Sequence, residues 1–249
     1  MSTTMPEEIF EKYPSLKKFK DEGYSEWKGG RERALLAYIK QHSEFAQMHD
    51  SPSKVLKAMD DFASQEDFLI NIGSDKGRIV ADLLTENKPK VLVELGGYVG
   101  YSAILFADQM RRSAGTDRPP RLWSLEFEPE FAAIAKELIA IAGLTEVVTV
   151  VTGPADESLR NLKADGELEH IDFLFIDHVE DLYEQDLKVC EELGLLKTGS
   201  VVVADNVVRP GAPKYREYVR GHPGLRSWGV RGLIMPGELE DELEVSEML

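Results

Sequence analysis

The run Val91-Leu-Val-Glu-Leu-Gly-Gly-Tyr-Val-Gly-Tyr-Ser102 reads in order as a strand, a glycine-dense turn and the start of a helix. Val91 to Leu95 are apolar apart from Glu94, a length suited to a buried strand. Gly96, Gly97 and Gly100 crowd the turn, and from Ser102 an apolar helical pattern continues through Ala103, Ile104, Leu105, Ala107 and Met110. That succession predicts the ligand-facing corner of a doubly wound sheet, where glycines let backbone approach a ligand at a helix N-terminus. The spacing is E-x-G-G-x-x-G-x-S rather than G-x-G-x-x-G, and it puts a carboxylate inside the strand. A carboxylate there repels a pyrophosphate and suits a ligand carrying ammonium and sulfonium charge. S-adenosylmethionine is therefore expected in preference to a dinucleotide. For this stretch alone, a tight turn without a ligand is the other reading.

Downstream, residues 122–126, 147–151, 171–176 and 201–204 read as further strands, each followed by a helical pattern. Pro129 starts one helix that ends at Gly143, residues 158–162 lie in the next, and Gly194 stops the one after that. Sustained strand–helix alternation predicts a parallel sheet with helices on both faces. Residues 111–120 read as a turn-rich loop, and Pro210-Gly-Ala-Pro213 breaks the chain before a helix at 215–220. The tail offers two weaker strands near 228–235 and 242–246, expected as a pair at a sheet edge. The acidic cluster Glu238 to Glu244 reads as a solvated turn.

Upstream, residues 31–41 form a helix with Leu35, Leu36 and Ile39 inward. Ser51-Pro52 supplies an N-cap and a first-turn proline for a helix carrying Val55, Leu56, Met59, Phe62 and Ala63 on one face. Phe68-Leu-Ile-Asn-Ile-Gly73 is a short apolar stretch that turns at glycine, and a third helix spans 77–84. Residues 1–30, ending in Trp27-Lys-Gly-Gly30, read as an appended, partly ordered extension. Residues 31–249 read as one domain, with 31–88 a helical cap and 89–249 the sheet core.

The 249 residues carry a formal charge of -16. That argues against nucleic acid, whose affinity comes mainly from lysine and arginine on phosphates, and against an anionic membrane surface. The single cysteine, Cys190, excludes an intramolecular disulfide and a cysteine-cluster metal site, and its helical setting makes it a small core residue. No apolar run approaches the roughly 18 residues of a spanning helix, and Met1 to Glu11 is unlike a signal segment. A cytoplasmic protein with a small-molecule substrate is expected; its oligomeric state is left open.

In open α/β sheets ligands bind beyond the carboxyl ends of the strands. Glu126 ends one strand, where a carboxylate can take both ribose hydroxyls. Asp177-His178 ends another and Asp205-Asn206 a third. Two aspartates and an asparagine give three hard oxygen ligands without sulfur, a set that suits Mg²⁺ rather than zinc. Taken alone, an Asp-Asn pair is a turn; the glycine corner beside it is what favours the metal reading. His178 either caps its strand or packs against an adenine.

These residues carry a family resemblance. Glu94-Leu-Gly-Gly-Tyr-Val-Gly-Tyr-Ser102, Ile171-Asp-Phe-Leu-Phe-Ile-Asp-His178 and Ala204-Asp-Asn-Val-Val-Arg-Pro-Gly-Ala-Pro213 resemble the corresponding motifs of catechol O-methyltransferases. Asn71-Ile-Gly73 with Lys76-Gly77, and Val189-Cys-Glu-Glu-Leu-Gly-Leu-Leu196, add to it. The likeness runs from about residue 31 to 220 in one order and spacing. It implies a Rossmann-like methyltransferase fold with a mostly parallel seven-stranded sheet, S-adenosylmethionine and Mg²⁺ as cofactors, and methylation of one oxygen of a catechol. By position, Asp177, Asp205 and Asn206 would hold the metal. Ile72, Glu94, Gly96, Tyr98, Ser102, Glu126, Phe127, Ala155, Asp156, Asp177 and His178 would surround the cofactor. Phe68, Ile70 and Pro210 would flank the substrate.

The departures are specific. The family follows its Asp-His with tryptophan and a general-base lysine; here Val179 and Glu180 stand there. Its gate tryptophan and methionine are Phe68 and Ile70, and its adenine-contacting serine and glutamine are Ala155 and Asp156. The glutamate that receives the second catechol hydroxyl falls at Met235, with Glu238 close by. The expected activity is Mg²⁺-assisted methyl transfer to a catechol-like hydroxyl, with Glu180 as candidate base. A catalytically degenerate S-adenosylmethionine-binding protein, and a methyltransferase for a non-catechol acceptor, are the alternatives. A dinucleotide-dependent dehydrogenase would share the sheet but lacks its glycine fingerprint.

Overall fold

Val91–Leu95 (β1) lies in parallel between Arg121–Glu126 (β2) and Phe173–Ile176 (β4), which is why its run is apolar on both faces. The computed structural model describes residues 7–21, 29–114 and 119–249; Trp27, Lys28 and the middle of the 111–120 loop lie outside the described residues. Outward from β1, Val148–Thr152 (β3) extends the sheet past β2, and Val201–Ala204 (β5) extends it past β4. Beyond β5 the direction reverses. Leu225–Ile234 (β6) and Leu239–Met248 (β7) form an antiparallel pair, and β7, not β6, adds to β5. The sheet has seven strands in the order β3-β2-β1-β4-β5-β7-β6.

Alternation along the strands sorts side chains into two cores. Leu92, Phe173, Phe175, Val201 and Val203 face one layer; Val93, Leu95, Leu174, Ile176, Val202 and Ala204 face the other. The first layer is covered by Arg31–Gln41 (α3), Phe45–Met48 (α4), Pro52–Gln65 (α5), Gly73–Asn87 (α6), Tyr101–Ser113 (α7) and Pro129–Ile141 (α8). The second is covered by Ala155–Ala164 (α9), Tyr183–Glu192 (α10) and Pro213–Gly221 (α11). Two short helices, Glu7–Lys12 (α1) and Pro14–Asp21 (α2), precede α3; α2 packs on α5 and α1 on α2. The structure therefore has the expected mostly parallel seven-stranded sheet with helices on both faces. Cys190 is buried in the second core.

Four local expectations are corrected. Helix α6 starts at Gly73 rather than 77, and α7 runs through Ser113 into the expected loop. Ser51 occupies the N-cap position of α5, but its side chain makes no capping hydrogen bond. The acidic cluster is not a solvated turn: Asp241 and Glu244 are buried in β7. Their charges are met there, Asp241 by Lys76 at 2.9 Å and Glu244 by Arg216 at 3.1 Å and Arg220 at 2.7 Å. Paired charge is what allows an acidic strand inside a protein.

Candidate active site

Strand order reverses between β1 and β4, and in such sheets the crevice at the reversal takes the ligand. The backbone there leaves room for nothing but glycine at position 96. Gly96 has φ 96°, and a Cβ on it would stand 2.2 Å from the carbonyl oxygen of Asp177. This close approach brings the β1 turn against the end of β4 and opens a cleft of about 460 Å³. Its lining comes from the ends of β1, β2 and β4, the 70–72 loop, and the loops that lead into α9 and α10.

Of the residues singled out from the sequence, Ile70, Ile72, Gly96, Tyr98, Ser102, Glu126, Phe127, Ala155, Asp156, Asp177 and His178 all line this cleft. Glu126, at the end of β2, is held rigidly: Oε2 accepts the Tyr98 N–H at 2.6 Å and Oε1 accepts the Glu128 N–H at 2.8 Å. Burial raises its pKa against the pull of those two N–H groups. Tyr98 lies in the left-handed region and donates its hydroxyl to Glu32 at 2.9 Å, so α3 closes over the corner. His178 is fixed through Nε2 to Asp186 at 2.6 Å and stacks on Tyr183 with ring centroids 5.2 Å apart. Its Nδ1 is buried without a hydrogen-bond partner. Phe127 stands 65% exposed at the rim, an apolar face without cover.

Glu94 is placed differently. It lies under the floor on the α7 side, fully buried, with Ser124 donating to Oε1 at 2.5 Å and Oε2 lacking a partner. Burial pushes its pKa up to about 7, so at neutral pH it is only partly the fixed anion that the sequence argument assumed. Phe68, Pro210 and Glu180 are not among the cleft-lining residues. Phe68 sits in the loop ahead of Ile70, and exposed Pro210 follows Asn206 in the segment Val207–Gly211. Glu180 opens the single turn Glu180–Leu182, where its charge helps raise the Asp177 pKa.

The candidate metal ligands cluster around a buried lysine. Lys76, on α6 and 1% exposed, bridges Asp205 and Asp241. Asp205 Oδ1 takes Lys76 and the Asn206 N–H at 2.7 Å, leaving Oδ2 without a donor among the described residues. Asn206 spends its amide N–H groups on the Arg209 carbonyl at 3.0 Å and on Asp241 at 3.1 Å, leaving Oδ1 as an acceptor. No described group donates to the Asp177 carboxylate, whose pKa is raised well above the usual range by burial and by the charge of Asp205. Two neighbouring carboxylates with unused lone pairs, plus an amide oxygen, are a fit for a hard divalent cation. No group of three or more His, Cys, Asp or Glu is arranged for a metal among the described residues, so a three-oxygen set here would need the Asn206 oxygen beside the two carboxylates.

Several participants escaped the sequence reading. Tyr101, Leu182, Gln185 and Asp186 line the cleft because α7 and α10 begin there. Tyr101 and Asp186 lie in the first turns of α7 and α10, and the first turn of a helix that follows a marked strand end is the signal that could have found them. Lys76 was read only as part of a motif, and Asp241 only as part of an acidic turn. Nothing local marks either as the other's partner.

Comparison with known proteins gives the same answer as the geometry. A family model described as O-methyltransferase matches residues 47–217. Catechol O-methyltransferase of Bos taurus is 38% identical over 192 residues, covering 77% of this chain and 67% of the relative. Catechol O-methyltransferase B of Danio rerio is 36% identical over 219 residues, covering 88% and 79%. The fold is shared with the Bacillus cereus O-methyltransferase crystallised with SAH, at TM-score 0.66 and 20% identity over 97% of this chain and 100% of that one. It is also shared with the Streptomyces achromogenes O-methyltransferase TomG crystallised with SAM, at TM-score 0.66 and 22% identity over 79% and 90%. The strand order, the glycine corner and these matches together make the chain a member of the O-methyltransferase family.

Proposed function

We propose that this enzyme transfers the methyl group of S-adenosylmethionine to one hydroxyl of a catechol-like small molecule, with Mg²⁺ bound by Asp177, Asp205 and Asn206. The observation that carries the reading is the undonated carboxylate of Asp177, which lies between the glycine corner and buried Asp205 with its neighbour Asn206. The relatives named as catechol O-methyltransferases supply the acceptor class. Mg²⁺ at these oxygens would supply Lewis acidity toward two vicinal oxygens of the acceptor.

Within this reading the chain's own residues divide the work. Glu126, already oriented by two backbone N–H groups, would take the ribose hydroxyls. Gly96, Tyr98, Ser102 and Ile72 would hold the methionine end of the cofactor. His178, Phe127, Ala155 and Asp156 would enclose the adenine. Phe68, Ile70 and Pro210 would orient the acceptor ring and keep water out. Glu180 would accept the proton of the reacting hydroxyl, since a carboxylate beside the site can act as general base. Fixing the acceptor oxygen in line with the methyl group is worth much of the acceleration by itself. The setting we assign is cytoplasmic; among the described residues no helix is long and apolar enough to cross a membrane.

The test is a methylation assay of the full chain against neutral, cationic and carboxylated catechols, with Mg²⁺ and with a chelator. Turnover of at least one catechol that vanishes in chelator is the expected result. Binding of S-adenosylhomocysteine without turnover of any catechol would overturn the acceptor assignment, and undiminished turnover in chelator would overturn the metal.

A further inference from the structure

We propose that the N-terminal helices α1 and α2 are a positioning strap for the acceptor side of the cleft. They would hold the 66–72 loop and the β6–β7 turn in fixed relation; the strap's effect on the acceptor rests on the function proposed above. Four side chains make the attachment. At the turn, Lys12 pairs with Glu238, which also accepts the Tyr13 hydroxyl at 2.9 Å. On α5, Ser15 donates to the Ala63 carbonyl at 2.5 Å. At the loop, Lys18 meets Asp67 at 2.6 Å. Tyr13, Ser15 and Leu16 are buried in this contact, and Leu16 Cδ1 comes within 3.4 Å of where a Cβ on Gly237 would stand.

The loop end is tied further in. Asp67, itself buried, lies 3.9 Å from the Arg31 guanidinium, which donates to the Phe68 carbonyl at 3.3 Å. The strap therefore grips the residue before one candidate gate side chain, and its other end grips the turn that follows Met235.

The loop and the turn are poorly locked to each other without it. Met235 touches Gly73, where an added Cβ would come within 2.9 Å, but beside that contact a cavity of about 80 Å³ separates the two segments. Asp60, Ala63, Asn71, Met235 and Pro236 are among its walls, and Asn71 also lines the main cleft. A gap of this kind lets neighbouring segments shift, because no packed atoms oppose the movement. Both α1–α2 and the turn fall outside the matched family span of residues 47–217. It also accounts for Glu238, the acid nearest in sequence to the family's acceptor-binding glutamate. Its carboxylate is engaged by Lys12 and Tyr13.

The test is made on the full chain with Lys12→Ala/Tyr13→Phe, which releases the turn, Lys18→Ala, which releases the loop, and the charge swap Lys12→Glu/Glu238→Lys. Exposed ion pairs are individually weak, so the double variant should fold normally, with cofactor affinity measured against S-adenosylhomocysteine unchanged. Its acceptor KM should rise by about 5–20-fold with kcat nearly constant, the pattern of lost uniform binding, and the charge swap should recover most of the loss. Amide hydrogen exchange reads the strap without turnover. Releasing the turn should quicken exchange at residues 66–72, and Lys18→Ala should quicken it at 235–238. Exchange confined to the segment whose own bond was cut, or an acceptor KM within twofold of wild type, would overturn the strap. So would equal losses of acceptor and cofactor affinity. A wild type inert on every catechol would sink the acceptor reading instead, and the exchange result would still decide whether the strap exists.

Discussion

The glycine corner at the end of β1, to which we assign the cofactor, and the side at the end of β5, to which we assign the acceptor, are built in different ways. The corner is set by backbone contacts: Gly96 forced against Asp177, Glu126 held by the N–H groups of Tyr98 and Glu128, and Ser102 in the first turn of α7. Its parts are fixed by backbone geometry that few substitutions disturb. The acceptor side is assembled from separated pieces: the 68–72 loop, Asp177 to Glu180, Asp205 to Pro210, and Asp241 on β7. These are held together by side chains, chiefly Lys76 and Asp241. The departures from the family pattern fall on both sides: Val179 and Glu180 here, Ala155 and Asp156 around the expected adenine. The contrast teaches that the two sides depend on different bonds, backbone contacts at the corner and buried ion pairs across from it, so a substitution can loosen one and leave the other.

Four substitutions break or sharpen that contrast. The largest effect is expected at Glu180. If it is the base, Glu180→Gln lowers kcat by about 10²–10⁴ while S-adenosylhomocysteine affinity stays nearly intact. A glutamine variant as fast as wild type would remove Glu180 from the chemistry.

Lys76→Met should come next, costing about 3–5 kcal/mol in urea unfolding because Asp205 and Asp241 are left buried without their cation. The deficit should shrink as pH falls and Asp205, whose pKa burial already raises, takes up a proton. A loss below about 1 kcal/mol at pH 8 would show that the acceptor side is not held by this bridge.

Glu94 tests the corner. Its pKa in the folded chain, about 7, lies above the ordinary 4.5, so folding favours the protonated acid. That stability is fully present below about pH 4.5 and is lost as pH rises to about 7. Glu94→Gln removes the loss, and at pH 8 the ligand-free variant should exceed wild type by up to about 3 kcal/mol, at 1.36 kcal/mol per unit. Equal stability at pH 8 would mean that the carboxylate is ionised and compensated in the folded chain.

The smallest effect is expected at Glu126. Glu126→Ala should weaken S-adenosylmethionine binding by roughly 1.5–3 kcal/mol, the range for a charged hydrogen-bond partner, with acceptor KM little changed. Calorimetric titration showing an unaltered dissociation constant would take Glu126 out of the cofactor site.

Legibility followed the same division. Residues 91–102 carried their own reading, because strand, turn and helix each have a local signal and the glycines report close backbone approach. Strand ends such as Glu126, Asp177 and Asp205-Asn206 followed from the rule that ligands sit beyond the carboxyl ends of parallel strands. The acidic tail did not read correctly. Asp241 and Glu244 look like surface residues until β7 is seen to lie between β5 and β6, with Lys76, Arg216 and Arg220 waiting there. Charge density in a short window predicts solvation only where no distant cation answers it.

By itself, then, the sequence determined the alternation of strands and helices, the glycine corner and the polar residues at the strand ends, all of them encoded within a few neighbouring residues. Only the tertiary structure decided that β7 enters the sheet beside β5, that Lys76 joins Asp205 to Asp241, that Glu32 receives Tyr98, and that Lys12 and Tyr13 take Glu238. Each of those contacts joins residues far apart in the chain. Each exists because burying one charged or polar group requires another to meet it, a requirement that sets a partner's chemistry but not its place in the sequence.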